Sequence, residues 1–369
     1  MKINPQRVAI IGLGAASRNI HLPAYKSLAG KVEIVGGCDT DGDARKTWRE
    51  KFGIGEIFDD PLKMIETTAP DIVSICTPPA LHVEQTLLAL KHNAHVFCEK
   101  PLAENLVGAT EIIRAAEFAN RFVVVNSQFP YMNIHRAAKR MIGSPEFGRL
   151  LFLQAWQIFH PSHNTEAGWR GELKRRLCFD FGVHVFELAR NFFGDEPMRI
   201  SAQMPQPQPA QNFDILNLIT LEFADGRAAS IILNRLSNAP ERYLDMRLDG
   251  ERASIQTSIG GQVRFEAGIH TREKRPFLGL NFIKGGSAVL QNGNKSKIIA
   301  KDGINPFASS TAYHFRNFIN AIEQGKTPLA TAQDNLKTLA LVFAAYDSAE
   351  SHCAIEMPDY INRKLLAAD

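Results

Sequence analysis

The 369-residue chain contains few cysteines, little net charge and no long apolar run. Its five cysteines are an odd number without a C-x-x-C pair, which argues against a disulfide framework or a structural zinc site. The net charge of +3 is too small to indicate a nucleic-acid or membrane partner. No stretch could span a bilayer, and the first residues lack the apolar core of a signal peptide. We therefore expect a cytoplasmic protein.

The length and the order of the predicted elements indicate two domains. Strands alternate with helices, such as one predicted at Ala103–Asn120, over residues 1–126, which predicts an α/β domain with a parallel sheet. Residues 127–369 begin with a helix and then contain a long series of strand-like segments separated by turn dipeptides, the last of them Gln262–Glu266. Two helices follow, predicted at Ala312–Gln324 and Thr331–Glu350. This second half predicts an α+β domain with a large, mostly antiparallel sheet that has one open face.

A glycine-containing loop follows the first strand, Arg7–Ile11, and opens a helix. It reads Gly12-Leu13-Gly14-Ala15-Ala16-Ser17. Gly12 permits a tight turn, and Gly14 lets the backbone approach a pyrophosphate at the helix N-terminus. The third position of this fingerprint is Ser17 instead of glycine, and a small residue still allows close packing between helix and strand. The position after a strand predicts a dinucleotide site.

Asp39 ends the second strand, Val32–Cys38. A carboxylate at this place accepts hydrogen bonds from the ribose hydroxyls of a dinucleotide and repels a 2′-phosphate. The pattern therefore favours NAD, with NADP as the alternative cofactor. Asp39 is also suited to an N-cap of the helix that follows, and both roles are compatible.

Two further strands of this half also end in polar residues. The strand Asp71–Cys76 runs into Thr77-Pro78-Pro79, and His82 lies in the first turn of the next helix. The segment His95–Leu102 reads HVFCEKPL and runs from an apolar strand into Glu99, Lys100 and Pro101. Since ligands of parallel sheets bind beyond the carboxyl ends of the strands, we expect Lys100 to lie in that crevice. A solvated Glu-Lys pair at the start of a loop is the alternative.

The second half has its most informative pattern in Asp180-Phe-Gly-Val-His184, at the start of a predicted helix. Residues four apart share a helix face, so the Asp180 carboxylate would orient the His184 imidazole as a general base. The alternative is a helix cap, Asp180, next to a core histidine. His160 and His163 have no acid or thiol nearby that would complete a metal site, so no metal is expected.

These motifs together resemble the Gfo/Idh/MocA family of NAD(P)-dependent oxidoreductases, which includes inositol dehydrogenases and glucose–fructose oxidoreductase. The resemblance rests on GLGAAS, CDTD, ICTPPALH, HVFCEKPLA and the D-x-x-x-H pattern, and it covers essentially the whole chain. It implies an N-terminal Rossmann dinucleotide-binding domain and a C-terminal substrate-binding and oligomerisation domain. It also implies hydride transfer between a nicotinamide cofactor and a secondary hydroxyl of a sugar, sugar derivative or cyclic polyol.

The resemblance assigns roles to individual residues. Lys100, Asp180 and His184 would be catalytic, and weaker substrate candidates are Gln128, Trp169 and Arg170. Arg176 is a candidate because of its own charge: with Arg175 it could hold an anionic group such as a carboxylate or phosphate, and a solvated basic face is the alternative. The cofactor would contact Gly12, Gly14, Ala15, Ala16, Asp39, Thr77, Pro78, His82, Glu99 and Lys100. The chain departs from the family pattern at Gln128, where an arginine is common, and at 174–179, where a glycine-rich run is usual. Both departures bear on substrate choice.

Two other activities remain open on the same fold. One is an NAD-dependent glycoside hydrolase, and the other is a non-catalytic dinucleotide-binding regulator. A tightly held cofactor that is recycled between two sugars is a third variant. The open sheet face suggests a homodimer or homotetramer, by analogy with the fold.

Overall fold

The structure is a computed structural model that describes residues 4–160, 168–208, 213–260, 262–269, 276–283 and 285–367. Its contacts divide the chain into two compact units. The first consists of Met1–Tyr131, Phe307–Phe343 and Pro358–Asp369, and the second of Met132–Pro306 and Ala344–Met357. The sequence predicts a single domain boundary after residue 126. In the structure, each compact unit also includes segments from near the C-terminus.

A six-stranded parallel sheet forms the centre of the first unit. In spatial order β3-β2-β1-β4-β5-β6, its strands are β1 (Gln6–Ile11), β2 (Val32–Cys38), β3 (Ile57–Phe58), β4 (Ile72–Ile75), β5 (His95–Cys98) and β6 (Val123–Val125). Short apolar runs of this kind are typical of strands covered on both faces. The strand order reverses between β1 and β4, which is the switch point where such sheets bind ligands.

Helices connect these strands, and several begin at a local cap. They are a π-helix, Ser17–His21, that continues as Leu22–Lys26, then Gly42–Phe52, Pro61–Thr68, the 3₁₀ turn Pro79–Leu81, His82–Lys91, Leu106–Ala119, the 3₁₀ turn Phe129–Tyr131 and Tyr360–Leu366. The predicted helix from Ala103 begins only at Leu106, because the Asn105 side chain accepts the Gly108 N–H and so sets the start.

A helix from late in the chain completes the core of the first unit. It spans Pro306–Gln324, whereas the sequence predicted a start at Ala312. Its Phe315 and Phe318 pack in the same cluster as Ile10 and Phe97 of the sheet. Burial of these aromatic side chains explains why this helix belongs to the first unit despite its position in the sequence. The helix Ala332–Ser351 follows and contributes residues to both units.

The second unit contains a nine-stranded sheet in the order β16-β15-β12-β11-β7-β10-β9-β8-β17. Its strands are β7 (Leu150–Ile158), β8 (Arg199–Gln203), β9 (Leu216–Glu222), β10 (Ala228–Asn234), β11 (Arg242–Gly250), β12 (Ser254–Ile259), β15 (Ser287–Asn292), β16 (Lys295–Lys301) and β17 (Ile355–Glu356). All neighbours are antiparallel except β7 and β10, which pair in parallel. The predicted fold class is confirmed, but the strands do not form a simple meander.

One face of this sheet is covered by helices and the other is open. Helices in this unit span Asn133–Met141, Trp169–Glu172, the π-helix Cys178–Gly182 and its continuation Val183–Phe193. Along β7, Leu153 and Ala155 are buried, while Phe152 and Trp156 on the other face are half-buried. β13 (Gln262–Ile269) and β14 (Pro276–Ile283) pair with each other as a separate ribbon, so the strand predicted at 262–266 lies outside the large sheet.

Replacing Phe315 by Ala should destabilise the first unit by about 3–5 kcal/mol, because a fully buried ring is removed from a close-packed cluster. Urea unfolding followed by circular dichroism measures the change. Phe118→Ala is the matched control, since Phe118 lies on a helix of the same unit and is 96% exposed. Similar losses of stability in the two variants would contradict this description of the core.

Candidate functional site

The loop after β1 has the geometry that a dinucleotide requires. Gly12 has a φ of +89°, and a Cβ there would lie 2.8 Å from the backbone nitrogen of Thr77, so no other residue fits this close approach. Gly14 is exposed, and a Cβ built on it would meet nothing within 4 Å. Ala15 is also exposed and Ala16 half-buried. The loop therefore presents accessible backbone at the switch point, and its contact with a dinucleotide stays a prediction.

The Asp39 carboxylate lies against this loop at the end of β2. Its Oδ2 accepts the Leu13 N–H at 2.7 Å, and its Oδ1 accepts the Asp41 N–H at 2.9 Å. Each oxygen keeps a further lone pair for a ribose hydroxyl. Asp41, and not Asp39, caps the helix Gly42–Phe52. The Arg45 guanidinium donates a hydrogen bond to the Asp39 carbonyl oxygen at 2.7 Å, so a cation also lies at the carboxyl end of β2.

His82 joins two of the predicted strand-end motifs. Its Nε2 lies 2.9 Å from the Thr77 carbonyl oxygen and its Nδ1 lies 2.8 Å from the Pro101 carbonyl oxygen. The ring is completely buried, and burial lowers its pKa although both carbonyl groups favour the protonated form. His82 thus holds the loop after β4 against the loop after β5. Its predicted contact with the cofactor stays a prediction, as does that of Pro78.

Glu99 is the centre of a buried polar network that the sequence did not reveal. Its Oε1 accepts hydrogen bonds from His21 Nε2 and from Asn126 Nδ2, both at 2.7 Å. The other ring nitrogen of His21 lies 3.0 Å from the Tyr25 hydroxyl, which in turn lies 2.7 Å from Ser74 Oγ. The network therefore connects the π-helix after β1 to the carboxyl ends of β5 and β6.

The geometry of this network indicates a buried ion pair. Burial alone would raise the pKa of Glu99, but the hydrogen bond and charge of His21 and the amide of Asn126 lower it to about 2. Burial likewise lowers the pKa of His21, yet its neighbours, among them Cys76, Tyr25 and Glu99, raise it well above 6.5. The pair holds the backbone next to Lys100, which is half-buried and whose N–H lies 3.3 Å from Glu99 Oε2.

Gln128 follows β6 and has an unused acceptor. Its side chain is only 4% exposed, and its Oε1 makes no hydrogen bond to any residue that the structure describes. A buried amide oxygen without a donor has a substantial desolvation cost. Gln128 is therefore suited to accept a hydrogen bond from a ligand hydroxyl, which is compatible with its predicted contact with the substrate.

In the second unit, the D-x-x-x-H pattern lies at the start of a continuous helix. Asp180 is in the π-helical part and His184 is in the α-helical part, so the spacing of four no longer sets the relation of their side chains by itself. Arg170 Nε donates to Asp180 Oδ2 at 2.8 Å, and the Arg170 guanidinium stacks over Trp169 at 4.3 Å. The structure thus brings together three of the predicted residues: Trp169, Arg170 and Asp180.

The other two predicted residues of this segment are buried. His184 is 5% exposed and its ring contacts Phe181 edge-on, with 5.9 Å between centroids. The predicted pairing of Asp180 with His184 stays a prediction. Arg176 is 1% exposed and stacks over Phe213 at 4.5 Å, so this arginine is part of the packing of the helix start.

Within the described residues, no group of three or more His, Cys, Asp or Glu side chains has metal-binding geometry. His160 Nε2 donates to the Ala239 carbonyl oxygen at 2.7 Å, and His163 lies outside the described residues. No helix in the described part of the chain is long and apolar enough to cross a bilayer.

Two family descriptions match the chain. Residues 6–127 match the "Oxidoreductase family, NAD-binding Rossmann fold", and residues 135–256 match the "GFO/IDH/MocA C-terminal domain". D-apiose dehydrogenase of Paraburkholderia graminis is 27% identical over 357 residues, which are 95% of this chain and 89% of that protein. Myo-inositol 2-dehydrogenase of Thermotoga maritima is 22% identical over 96% of this chain and 99% of that protein.

Solved structures show the same fold. An oxidoreductase from Agrobacterium radiobacter, solved with NAD⁺, L-tartaric acid and magnesium, superposes with a TM-score of 0.81 at 21% identity. The match covers 96% of this chain and 98% of that one.

The glycine loop, the Asp39 carboxylate and the matching family description define an NAD-binding oxidoreductase with a Rossmann domain. The chain belongs to the Gfo/Idh/MocA family, as the motifs had indicated. The predicted cofactor class is thereby confirmed.

Replacing Glu99 by Gln should lower the free energy of unfolding by about 3–5 kcal/mol near neutral pH, because the buried His21 ring loses its charged partner and must either give up its proton or stay charged and unpaired. The pKa of Glu99 falls from 4.5 to about 2 on folding, so its carboxylate stabilises the fold above about pH 4.5. This stabilisation is lost as the pH falls towards 2, and the difference between wild type and variant should shrink over that range in urea unfolding.

The control is Glu104→Gln, which changes an exposed carboxyl group five residues further along the chain. It should alter the free energy of unfolding by no more than about 0.5 kcal/mol. A Glu99→Gln deficit that is the same at pH 3 and pH 7 would contradict the buried ion pair.

Proposed function

We propose that this protein transfers a hydride between NAD and a secondary hydroxyl of a sugar, a sugar derivative or a cyclic polyol. The observation that supports this best is the position of Lys100 at the end of β5, next to the buried Glu99–His21 pair and in the unit that contains the nucleotide loop. Relatives named D-apiose dehydrogenase and myo-inositol 2-dehydrogenase support the substrate class.

The residues of the first unit fit NAD. A Cβ at Gly12 would clash with the backbone after β4, whereas a Cβ at Gly14 would meet no other atom. The Asp39 carboxylate beside the loop has lone pairs left to accept further hydrogen bonds. In the proposed complex these residues hold the pyrophosphate and the ribose hydroxyls, and the backbone at Thr77 and Lys100 contacts the nicotinamide half. When bound, the nicotinamide accepts or supplies the hydride.

The chain's own residues would handle the proton and the developing charge. In the direction of oxidation, the His184 imidazole takes the proton of the substrate hydroxyl as a general base. The Asp180 carboxylate, which accepts a hydrogen bond from Arg170, orients His184 and stabilises its protonated form. The Lys100 ammonium donates a hydrogen bond to the substrate oxygen and stabilises its negative charge. Gln128, Trp169 and Arg170 are the proposed substrate contacts.

The reaction is tested by mixing the purified protein with NAD or NADP and a panel of inositols, aldoses and uronic acids, while the absorbance of the reduced nicotinamide is followed. Reduced cofactor with one substrate class supports the proposal. Release of a free sugar from a glycoside without net reduced cofactor would instead indicate a glycoside hydrolase. Cofactor binding without turnover of any compound in the panel would indicate a regulator.

Lys100→Ala should lower kcat by about 10²–10³-fold, because removing one donor to a developing oxyanion has an effect of this size. The dissociation constant for NAD, measured by calorimetry, should change only modestly. Lys91→Ala is the control, since Lys91 is an exposed lysine at the end of the preceding helix. Undiminished turnover by Lys100→Ala would remove Lys100 from the mechanism.

Asp39→Asn should reduce the preference for NAD over NADP by at least tenfold in kcat/KM, because the variant no longer repels the 2′-phosphate. Adding Arg45→Ala should reverse any gain with NADP, since Arg45 is the cation at this edge of the sheet. An unchanged ratio of kcat/KM for the two cofactors in Asp39→Asn would show that another group selects the cofactor.

The open face of the nine-stranded sheet is the proposed contact with further copies of the chain, in a homodimer or homotetramer. Half-buried Phe152, Trp156 and Ile232 on this face provide apolar surface for such a contact. All five cysteines are free thiols, which supports the proposed cytoplasmic location. Light scattering on the purified protein would measure the oligomeric state.

A further inference from the structure

The helix that contains Asp180 and His184 is capped by side chains from distant parts of the chain. The first four N–H groups of a helix have no partner within it. The nearest preceding residue, Leu177, has no side chain that could accept them. The helix's own hydrogen bonds begin with the Asp180 N–H, which donates to the Arg176 carbonyl oxygen at 2.7 Å. Four consecutive N–H groups, of residues 176–179, therefore need acceptors from elsewhere.

Asp214 and Tyr346 accept all four N–H groups through three oxygen atoms. Asp214 Oδ1 accepts the N–H groups of residues 176 and 177 at 2.6 and 3.0 Å, and its Oδ2 accepts that of residue 178 at 2.9 Å. The Tyr346 hydroxyl accepts the Phe179 N–H at 3.2 Å and donates to Asp214 Oδ2 at 3.1 Å. Asn217 Nδ2 adds a further bond to Oδ2, at 3.1 Å.

Burial makes this arrangement rigid. Asp214 is 5% exposed and Tyr346 is 4% exposed, so neither can exchange its partners for water at low cost. The carboxylate charge also complements the positive end of the helix dipole. The residue before Asp214, Phe213, stacks under the Arg176 guanidinium and fixes the same segment. Since a helix rises about 1.5 Å per residue, Asp180 lies within one turn of the cap and His184 within two.

We propose that Asp214 and Tyr346 are positioning residues for the reaction, because they fix the start of the helix from which Asp180 and His184 project. The proposal rests on the catalytic roles proposed for Asp180 and His184.

The test uses Asp214→Asn and Tyr346→Phe in the full chain, assayed with NAD and the substrate that the panel identifies. Asparagine keeps the size of the side chain but turns an amide group towards backbone donors. We expect kcat to fall about 100-fold in Asp214→Asn, since a displacement of about 1 Å has this effect. In Tyr346→Phe, which loses one hydroxyl, kcat should fall about tenfold. The dissociation constant for NAD should stay within about twofold, because the nucleotide residues belong to the first unit.

The pH profile separates positioning from a purely structural role. If the helix start shifts, Asp180 no longer stabilises the protonated His184 imidazole in the proposed arrangement, so the acid limb of kcat/KM should move to lower pH in Asp214→Asn. Because Asp214 and Tyr346 act on the same amides, the double variant should lose less than the product of the two single effects.

Asp245→Asn is the matched control. Asp245 is a carboxylate of the same unit, 7% exposed, and it is hydrogen-bonded to Ser258 at 2.5 Å and to Arg242, all on sheet strands. This variant should lower the thermal midpoint while kcat and the pH profile stay as in wild type. All assays are run below the onset of unfolding.

Wild-type kcat and an unchanged pH profile in a folded Asp214→Asn would overturn the proposal. If Asp214→Asn does not fold, kcat and the pH profile are measured on Tyr346→Phe, which keeps the Asp214 charge. Wild-type values for both in that variant would overturn the proposal. His184→Asn in the same assay distinguishes a failure of the proposed mechanism from a failure of the positioning role alone. An active His184→Asn would refute the proposed mechanism, whereas an inactive His184→Asn beside a fully active Asp214→Asn would refute only the positioning role.

Discussion

The buried carboxylate of Glu99 is the group on which the arrangement of the first unit depends. A carboxylate buried among apolar strands is stable only if it is paired and fully hydrogen-bonded. His21 and Asn126 meet that requirement, and they come from the helix after β1 and from the end of β6. Two strand ends at the ligand-binding edge and the helix after β1 are thus joined at one charge, and Lys100 is the next residue after it.

The second unit uses a similar device. Asp214 is also a buried carboxylate, and it fixes the start of a helix that contains two proposed catalytic residues. In both units a buried carboxylate binds groups from distant parts of the chain, and the backbone that it fixes lies one to a few residues from a proposed catalytic residue. The loss of one partner would leave a buried charge or several buried N–H groups without a hydrogen bond. It would therefore lower the stability of the unit and displace the proposed catalytic residues at the same time.

Much of the first unit could be predicted from the sequence, because its signals are local. Buried parallel strands appear as short apolar runs, and Gly12, Asp39, Thr77 and Lys100 each follow such a run directly. The strand pairing in the second unit was harder to predict. The parallel pair of β7 and β10 joins segments about 70 residues apart, and periodicity within each strand contains no information about its neighbour.

The groups that support the site were also beyond prediction from the sequence. His21 lies in a helix and Glu99 lies 78 residues away, so no spacing rule connects them. The π-helical turns at 17–21 and 178–182 change which residues share a face, and their sequences resemble ordinary helix starts. Phe315 was assigned to a late helix of the second half, but its ring packs with Phe97 in the first unit.

In the proposed reaction a hydride passes between NAD and the carbon that bears a secondary hydroxyl group, and the reduced cofactor can leave the enzyme. The most direct test is a substrate deuterated at the reacting carbon, followed by mass spectrometry of the cofactor and the product. Deuterium in released NADH, with a primary isotope effect on kcat/KM, is the predicted result. Deuterium that returns to the carbohydrate without net reduced cofactor, or a substrate consumed with no transfer of the label, would contradict the account.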